Sequence, residues 1–228
     1  MGILTSKNQG DQERVMRKLL FLAMLIVASA SMAFAQSSDR AKPEFFAGFS
    51  VSSIDTGIND TDVVVRNANN RQTAYGFETS GTGYFNNRVG IEGNFDGHFK
   101  TKTFDVSATP TSTIVPVRVK LSEYNFMAGP HVRFPSGDSK VVPFLHALAG
   151  GNHSRSSGTA TGITVSDNAT DFALKLGGGL DFGASEHIGV RLSADYNPVF
   201  ERNNDNTSLT NNNRTRNDAI FSIGLVFK

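Results

Sequence analysis

The sequence predicts an all-β fold: an eight-stranded antiparallel up-and-down transmembrane β-barrel that follows a cleaved signal peptide. Three observations carry this. A basic pair near the start runs into an apolar stretch and then into small residues; apolar and polar residues alternate through most of the remainder; and the connections between the alternating segments are long and short in turn. The chain has 228 residues, 39% of them hydrophobic, which suffices for one ordinary domain or a single barrel. It has no cysteine, so disulfides, thiolate metal sites, a cysteine nucleophile and a lipid-modified N-terminal cysteine are all removed. A formal net charge of +1 argues against a nucleic-acid partner, which needs a Lys/Arg excess gathered on one face.

Residues 16–35 read MRKLLFLAMLIVASASMAFA: Arg17 and Lys18, an apolar run from Leu19 to Ala28, and an A-x-A site at Ala33-Phe34-Ala35. This is the order of a secretory signal peptide, with the cut expected before Gln36. A retained membrane anchor would want roughly 20 apolar residues, about twice what is present. The expected division is therefore 1–35 signal peptide, with Met16 an alternative start, and 36–228 barrel. Removal of the signal takes away Lys7, Arg14, Arg17 and Lys18 against Asp11 and Glu13, so the slight basic excess belongs to the address.

Beyond Ala35 the dominant period is two. The first strand, 44–54, sets Phe45, Ala47, Phe49 and Val51 on one side. The second, 73–85, and third, 88–99, follow across Asn86-Asn87; the third sets Val89, Ile91, Phe95 and Phe99 against Glu92, Asn94, Asp96 and His98. Segments 118–134 and 141–154 are the fourth and fifth. The sixth, 171–183, sets Phe172, Leu174, Leu176, Leu180 and Phe182 against Asp171, Lys175 and Asp181. The seventh, 187–199, sets Ile188, Val190, Leu192, Ala194 and Tyr196 against Arg191, Ser193 and Asp195, and the eighth, 217–228, has Ala219, Phe221, Ile223, Leu225 and Phe227 on one side. Two opposite faces of this kind are what a strand with one apolar environment requires.

The links at Asn86-Asn87, Pro135–Lys140 and Ala184–Glu186 are tight and rich in turn residues. Those at 55–72, 100–117, 155–170 and 200–216 are long, polar and poor in bulky apolar side chains. A membrane barrel with short periplasmic turns and long surface loops produces this rhythm. Tilted strands of about 9–11 residues span the hydrocarbon, and a closed ring leaves no unpaired edge in lipid. A soluble lipocalin-like carrier, with its apolar face inward, shares the alternation; the export signal, the loop asymmetry and a last strand ending Leu225-Val226-Phe227 favour the membrane form.

Over essentially the whole of 36–228 the chain resembles the outer membrane β-barrel domain family, the OmpA/OmpX-like and porin-annotated small barrels of bacteria. The residues that carry the resemblance are Phe45-Phe46-Ala47-Gly48-Phe49, Gly90-Ile91-Glu92-Gly93-Asn94-Phe95, Pro143-Phe144-Leu145-His146-Ala147, Leu176-Gly177-Gly178-Gly179-Leu180-Asp181 and Ala194-Asp195-Tyr196. It implies a location in the cell outer membrane, contact with its lipid and lipopolysaccharide, and assembly by the barrel-assembly machinery, which reads a terminal aromatic. Here the chain ends on Lys228, one residue after Phe227. No peptidoglycan-binding domain is expected after the eighth strand.

If the apolar face meets lipid, the other face lines the interior. That face holds Glu78, Glu92, Asp96, His98, Glu123, His131, Arg133, Lys175, Asp181, Arg191 and Asp195. Eight strands leave room for little more than side chains, so these groups are expected to pair and plug the lumen. An open channel needs about 16 strands. Gly177-Gly178-Gly179 lacks the Lys-Ser/Thr of a phosphate loop and lies within a period-two run, which points to close strand packing. A lipid A-modifying enzyme would need a Ser, a His and an acid at the rim. The nearest material is His153, Ser154, Ser156 and Ser157, where His153 and Ser154 alternate to opposite faces. His98, His131 and His146 lie on different strands with no His-x-His spacing, so no metal site, no cofactor and no catalytic residue is expected.

Function is therefore expected in the loops 55–72, 100–117, 155–170 and 200–216, which would meet an extracellular protein or glycan. Arg66, Arg71, Lys100, Lys102, Arg214 and Arg216 are placed near the outer rim, within reach of lipopolysaccharide phosphates. The expectation is a structural or adhesion/interaction protein, not an enzyme. A small porin-like channel, a lipid A-modifying enzyme and a soluble carrier are the alternatives.

Overall fold

The computed structural model describes residues 42–55, 65–66, 71–106, 115–136, 140–160, 163–185, 187–201 and 214–228. The expected signal segment 1–35 lies outside these, as do residues 36–41, 56–64, 67–70, 107–114, 137–139, 161–162, 186 and 202–213. The described elements are β1 (Glu44–Asp55), β2 (Val65–Arg66), β3 (Arg71–Tyr84), β4 (Val89–Val106), β5 (Val115–Arg133), β6 (Val141–Ala160), β7 (Ile163–Gly183), β8 (Ile188–Glu201) and β9 (Arg214–Phe227). Every long strand pairs antiparallel with its neighbour in the chain, and β9 returns to β1 with Phe45 opposite Phe227. The ring of eight long strands is thus closed, which leaves no edge for lipid to meet across the spanning part.

Alternation places the two faces as the sequence predicts. Phe45, Phe49, Ile91, Leu145, Leu176, Leu192, Phe221 and Ile223 point outward and are exposed. Their inward neighbours, Glu44, Glu92, His146, Lys175, Arg191 and Ser222, are buried. This overturns the soluble carrier, whose apolar side chains would face the interior. Phe45, Phe85, Phe134, Phe182 and Phe227 form an outward aromatic group at the short-turn end, the position of an interfacial girdle.

Two proline sites interrupt the ladder without shifting it. Pairing between β5 and β6 lapses at Gly129 and Pro130 and resumes in the same register at His131 opposite His146. Between β7 and β8 it lapses beside Pro198, and Leu176 opposite Tyr196 restores it. Each proline lacks one N–H, so one rung is lost while the neighbouring rungs hold the register.

The long strands reach further outward than the alternation predicts. β4 and β5 continue to Val106 opposite Val115, and β6 and β7 to Ala160 opposite Ile163. Segments 100–117 and 155–170, expected as loops, are therefore largely strand. The physical reason is visible in β7, where residues 163–170 are exposed on both faces. There the side chains of β7 are exposed on both faces, so the backbone ladder continues with no apolar face required, whereas in β5 the alternation itself runs on through Val115, Val117 and Val119 against Arg118 and Lys120. Likewise β2, inside the expected loop 55–72, pairs with Asp105 and Val106 at the end of β4.

Candidate functional site

The interior is built in layers, each made by inward residues brought level by the strand register. At the short-turn end, Asp181 of β7 stands opposite Arg191 of β8. The guanidinium donates twice to that carboxylate, at 2.6 and 2.8 Å, and once to Glu44 Oε2 at 3.0 Å. Glu44 also accepts from Tyr84 Oη at 2.8 Å and from Arg133 Nη1 at 2.9 Å. Arg191 lies 4.4 Å over the Phe144 ring, and Arg133 4.6 Å over Tyr84. Bidentate pairing and ring stacking exploit the flat guanidinium in a way lysine cannot.

Next come Glu92, His131, His146 and Asp195. Glu92 Oε2 lies 2.7 Å from His131 Nδ1 and 3.0 Å from His146 Nδ1, while His146 Nε2 lies 2.8 Å from Asp195 Oδ1. Gly177 stands between His146 and Asp195 in the cross-strand row. A Cβ there would run into Asp195 Oδ1, so the glycine is what lets the two side chains meet over it. This is the close packing expected of the glycine run.

Further outward, Lys175 Nζ donates to Asp96 Oδ2 at 2.6 Å and Asn94 Oδ1 at 2.9 Å and lies 3.5 Å from Glu78. Asn94 donates to Glu78 Oε1 at 2.6 Å, and Ser222 donates to Glu78 Oε2. Ser50 contacts His98 Nε2 at 2.8 Å. His98 Nδ1 sits 3.2 Å from Asp96 Oδ1 but off the hydrogen-bond direction. An amide chain runs from Asn152 through Asn125 to Asp96 with steps of 2.8 and 2.7 Å. At the outer end, Arg216 reaches Asp218 at 2.9 Å, Glu201 at 3.3 Å and Glu123 at 2.8 Å.

All the interior residues expected from the sequence lie on this face; Arg133 is the one partly open, at the short-turn end. The expected set omits Glu44, His146, Arg216 and Asp218. Parity finds Glu44, His146 and Asp218, which alternate with Phe45, Leu145 and Ala219, whereas Arg216 lies before the predicted eighth strand, between Thr215 and Asn217. Arg216 corrects the rim assignment: its side chain is buried inside instead of facing lipid headgroups. Arg71 does sit at the exposed rim and donates to the backbone oxygens of Ser53 and Asn217. The side chains of Arg66 and Arg214 lie outside the described ones.

The interior is not charged throughout. Met127, Leu148, Ala173 and Val199 form a buried apolar cluster across β5 to β8. Phe46 and Phe144 add apolar bulk beside Arg191. Of the material considered for catalysis, His153 contacts Thr170 Oγ1 at 2.8 Å, and Ser157 stands opposite Lys120 and Ser166.

The outer wall is the second feature. β5 and β6 stay paired out to Arg118 opposite Thr159, and β6 and β7 out to Ala160 opposite Ile163. The last pair between β7 and β8 is Phe172 with Phe200. Among the described residues, no strand covers the β8-side edge of β7 from Ile163 to Thr170.

Comparison with curated proteins finds no match by sequence. Among solved structures, the chain is similar to Neisserial surface protein A, with 13% identity, 82% of this chain and 96% of that one covered, and a TM-score of 0.50. It is similar to Ail, the attachment invasion locus protein of Yersinia pestis, at 18% identity, 81% and 96% coverage and a TM-score of 0.48. It is also similar to the outer membrane protease OmpT of Escherichia coli, at 8% identity, 81% and 96% coverage and a TM-score of 0.44. Identities this low speak to fold alone. The family described as outer membrane protein beta-barrel domain matches residues 20–228. With the closed ring, the lipid-type outer face and this match, the chain belongs to the outer membrane protein β-barrel domain family and is an outer-membrane barrel.

Proposed function

We propose that the protein is a surface-interaction protein that meets an external partner along the wall projecting from the barrel, and that it neither conducts solute nor catalyses a reaction. The observation that carries this is the edge of β7 from Ile163 to Thr170, which no described strand pairs. An edge that the described strands leave unpaired offers backbone N–H and C=O groups to an extended segment of another protein, and such strand addition needs no deep pocket. Ile163 and Val165, exposed on the same side of that strand, add two apolar contacts. The lumen reading is the complement: buried pairs and the Met127 cluster occupy the space a pore or a substrate would need.

A cleaved signal over 1–35, use of the terminal Phe227 by the assembly machinery, and contact of Arg71, Lys100 and Lys102 with lipopolysaccharide phosphates belong to the same reading. The test is adhesion of cells displaying the protein to a panel of immobilised extracellular proteins and glycans. A variant in which Asn-Gly replaces residues 156–167 keeps Arg155 opposite Asn168 and removes the outer hairpin. Binding by the intact protein, lost in the shortened but folded variant, is expected. Equal binding by both, or none by either, overturns the proposal. A lipid A acylation change abolished by Ser157→Ala would favour the enzyme instead.

A further inference from the structure

The second interior layer joins side chains that no local spacing connects. His131 and His146 face each other across β5 and β6, and the same row continues to Gly90 on one side and Gly177 on the other. Those glycines leave room beside the two rings. Asp195, opposite Gly177, fills it on that side; Tyr84 lies over Gly90, and Glu92, one inward position along β4, reaches both rings. Both imidazoles aim Nδ1 at the one oxygen Glu92 Oε2, and the three ligand atoms all lie within 4.8 Å of one another.

We propose that Glu92, His131 and His146 form a binding site for a divalent transition-metal ion of the zinc class, with Asp195 orienting His146 from outside. Two imidazole nitrogens and a carboxylate are a donor set such ions take readily. Zinc bonds of about 2.0–2.2 Å in tetrahedral array set ligand atoms about 3.4 Å apart. The present contacts of 2.7 and 3.0 Å reach that by opening less than ~1 Å. The metal takes the place of the Nδ1 protons now directed at Glu92. His146 Nε2, held 2.8 Å from Asp195 Oδ1, supplies the carboxylate–histidine–metal relation that fixes ring orientation and tautomer.

Charge supports the same assignment independently. Glu44, Glu78, Asp96, Asp181, Glu123 and Asp218 each pair with a Lys or Arg. Among the described residues, the ion-pair partners of Glu92 and Asp195 are imidazoles alone. Two buried carboxylates in one layer need two positive charges; His146, which faces a carboxylate oxygen at both nitrogens, supplies one, and a dication bound in place of the Nδ1 protons supplies both. Bound there, the ion cross-links β4, β5 and β6 inside the barrel, and a water takes the fourth tetrahedral position that the three side chains leave.

The test uses the full chain without a histidine tag, folded in detergent, stripped with a chelator, equilibrated with Zn²⁺, washed and assayed for bound metal. About one zinc per folded chain is expected. Glu92→Gln and His131→Gln lose it, Asp195→Asn weakens it by about 10- to 100-fold, and His153→Asn and His187→Asn retain it. Migration on an unheated gel reports folding of each variant. Should the ligand variants not fold, X-ray absorption at the zinc edge of the wild-type protein decides, with imidazole and carboxylate scatterers expected. A folded wild-type barrel that holds no zinc, zinc retained undiminished in both ligand variants, or a zinc shell without imidazole overturns the proposal.

Discussion

Lys175 shows what one side chain does inside this barrel. It is fully buried, and its ammonium is held by Asp96, Asn94 and Glu78. Such a group adds little as a pair but costs a great deal to orphan, because its partners stay charged in a dry interior. Lys175→Met is therefore expected to destabilise the barrel by about 3–5 kcal/mol, measured by urea unfolding of lipid-reconstituted protein. Adding Asp96→Asn should recover part of that loss; no recovery would contradict the pairing. Gly177→Val tests a different constraint, since its side chain would occupy the gap through which His146 reaches Asp195. A cost of about 1–3 kcal/mol is expected by the same measurement. At this scale parity tells which way Lys175 and Gly177 point but not whom they meet. Lys175 meets Asp96, three strands away around the ring by way of β6, β5 and β4, and only closure of that ring brings them together.

The barrel wall has two regimes, a spanning part in which strands such as β8 have one apolar face and an outer part of β7 exposed on both. Leu192 of β8 lies in the first and Val165 of β7 in the second. Leu192→Arg is expected to cost about 2–4 kcal/mol if it faces the hydrocarbon midplane, whereas Val165→Arg should change stability by no more than about 0.5 kcal/mol. Equal effects would move the membrane boundary. Hydrogen exchange reports the same boundary along one strand: amides of 163–170 should exchange faster than those of 172–182, which are paired on both sides along most of their length. The spanning parts were legible in the sequence because lipid imposes alternation on them. The outer parts of β6 and β7 were not, since a strand in water on both faces needs only its ladder, and Thr, Ser and Asn serve there as they would in a loop; β5 differs, for Val115, Val117 and Val119 carry the alternation outward.

As a whole the molecule is a closed cylinder whose interior is filled in layers and whose free surface is the projecting wall. Reconstituted in planar bilayers, it is expected to give no stable conductance step; discrete, reproducible openings would revive the channel. The sequence by itself determined that each spanning strand has one apolar and one polar face, and hence, with its alternating connection lengths, the barrel and the charged character of its interior. These follow from a period of two, which any stretch of about ten residues records. Only the tertiary structure decided which charges pair, that Glu92, His131 and His146 converge, that Arg216 turns inward, and that among the described residues no strand pairs with the outer part of β7 on its β8 side. Those facts depend on register and closure across strands far apart in the chain, and neither leaves a local mark on the residues that satisfy it.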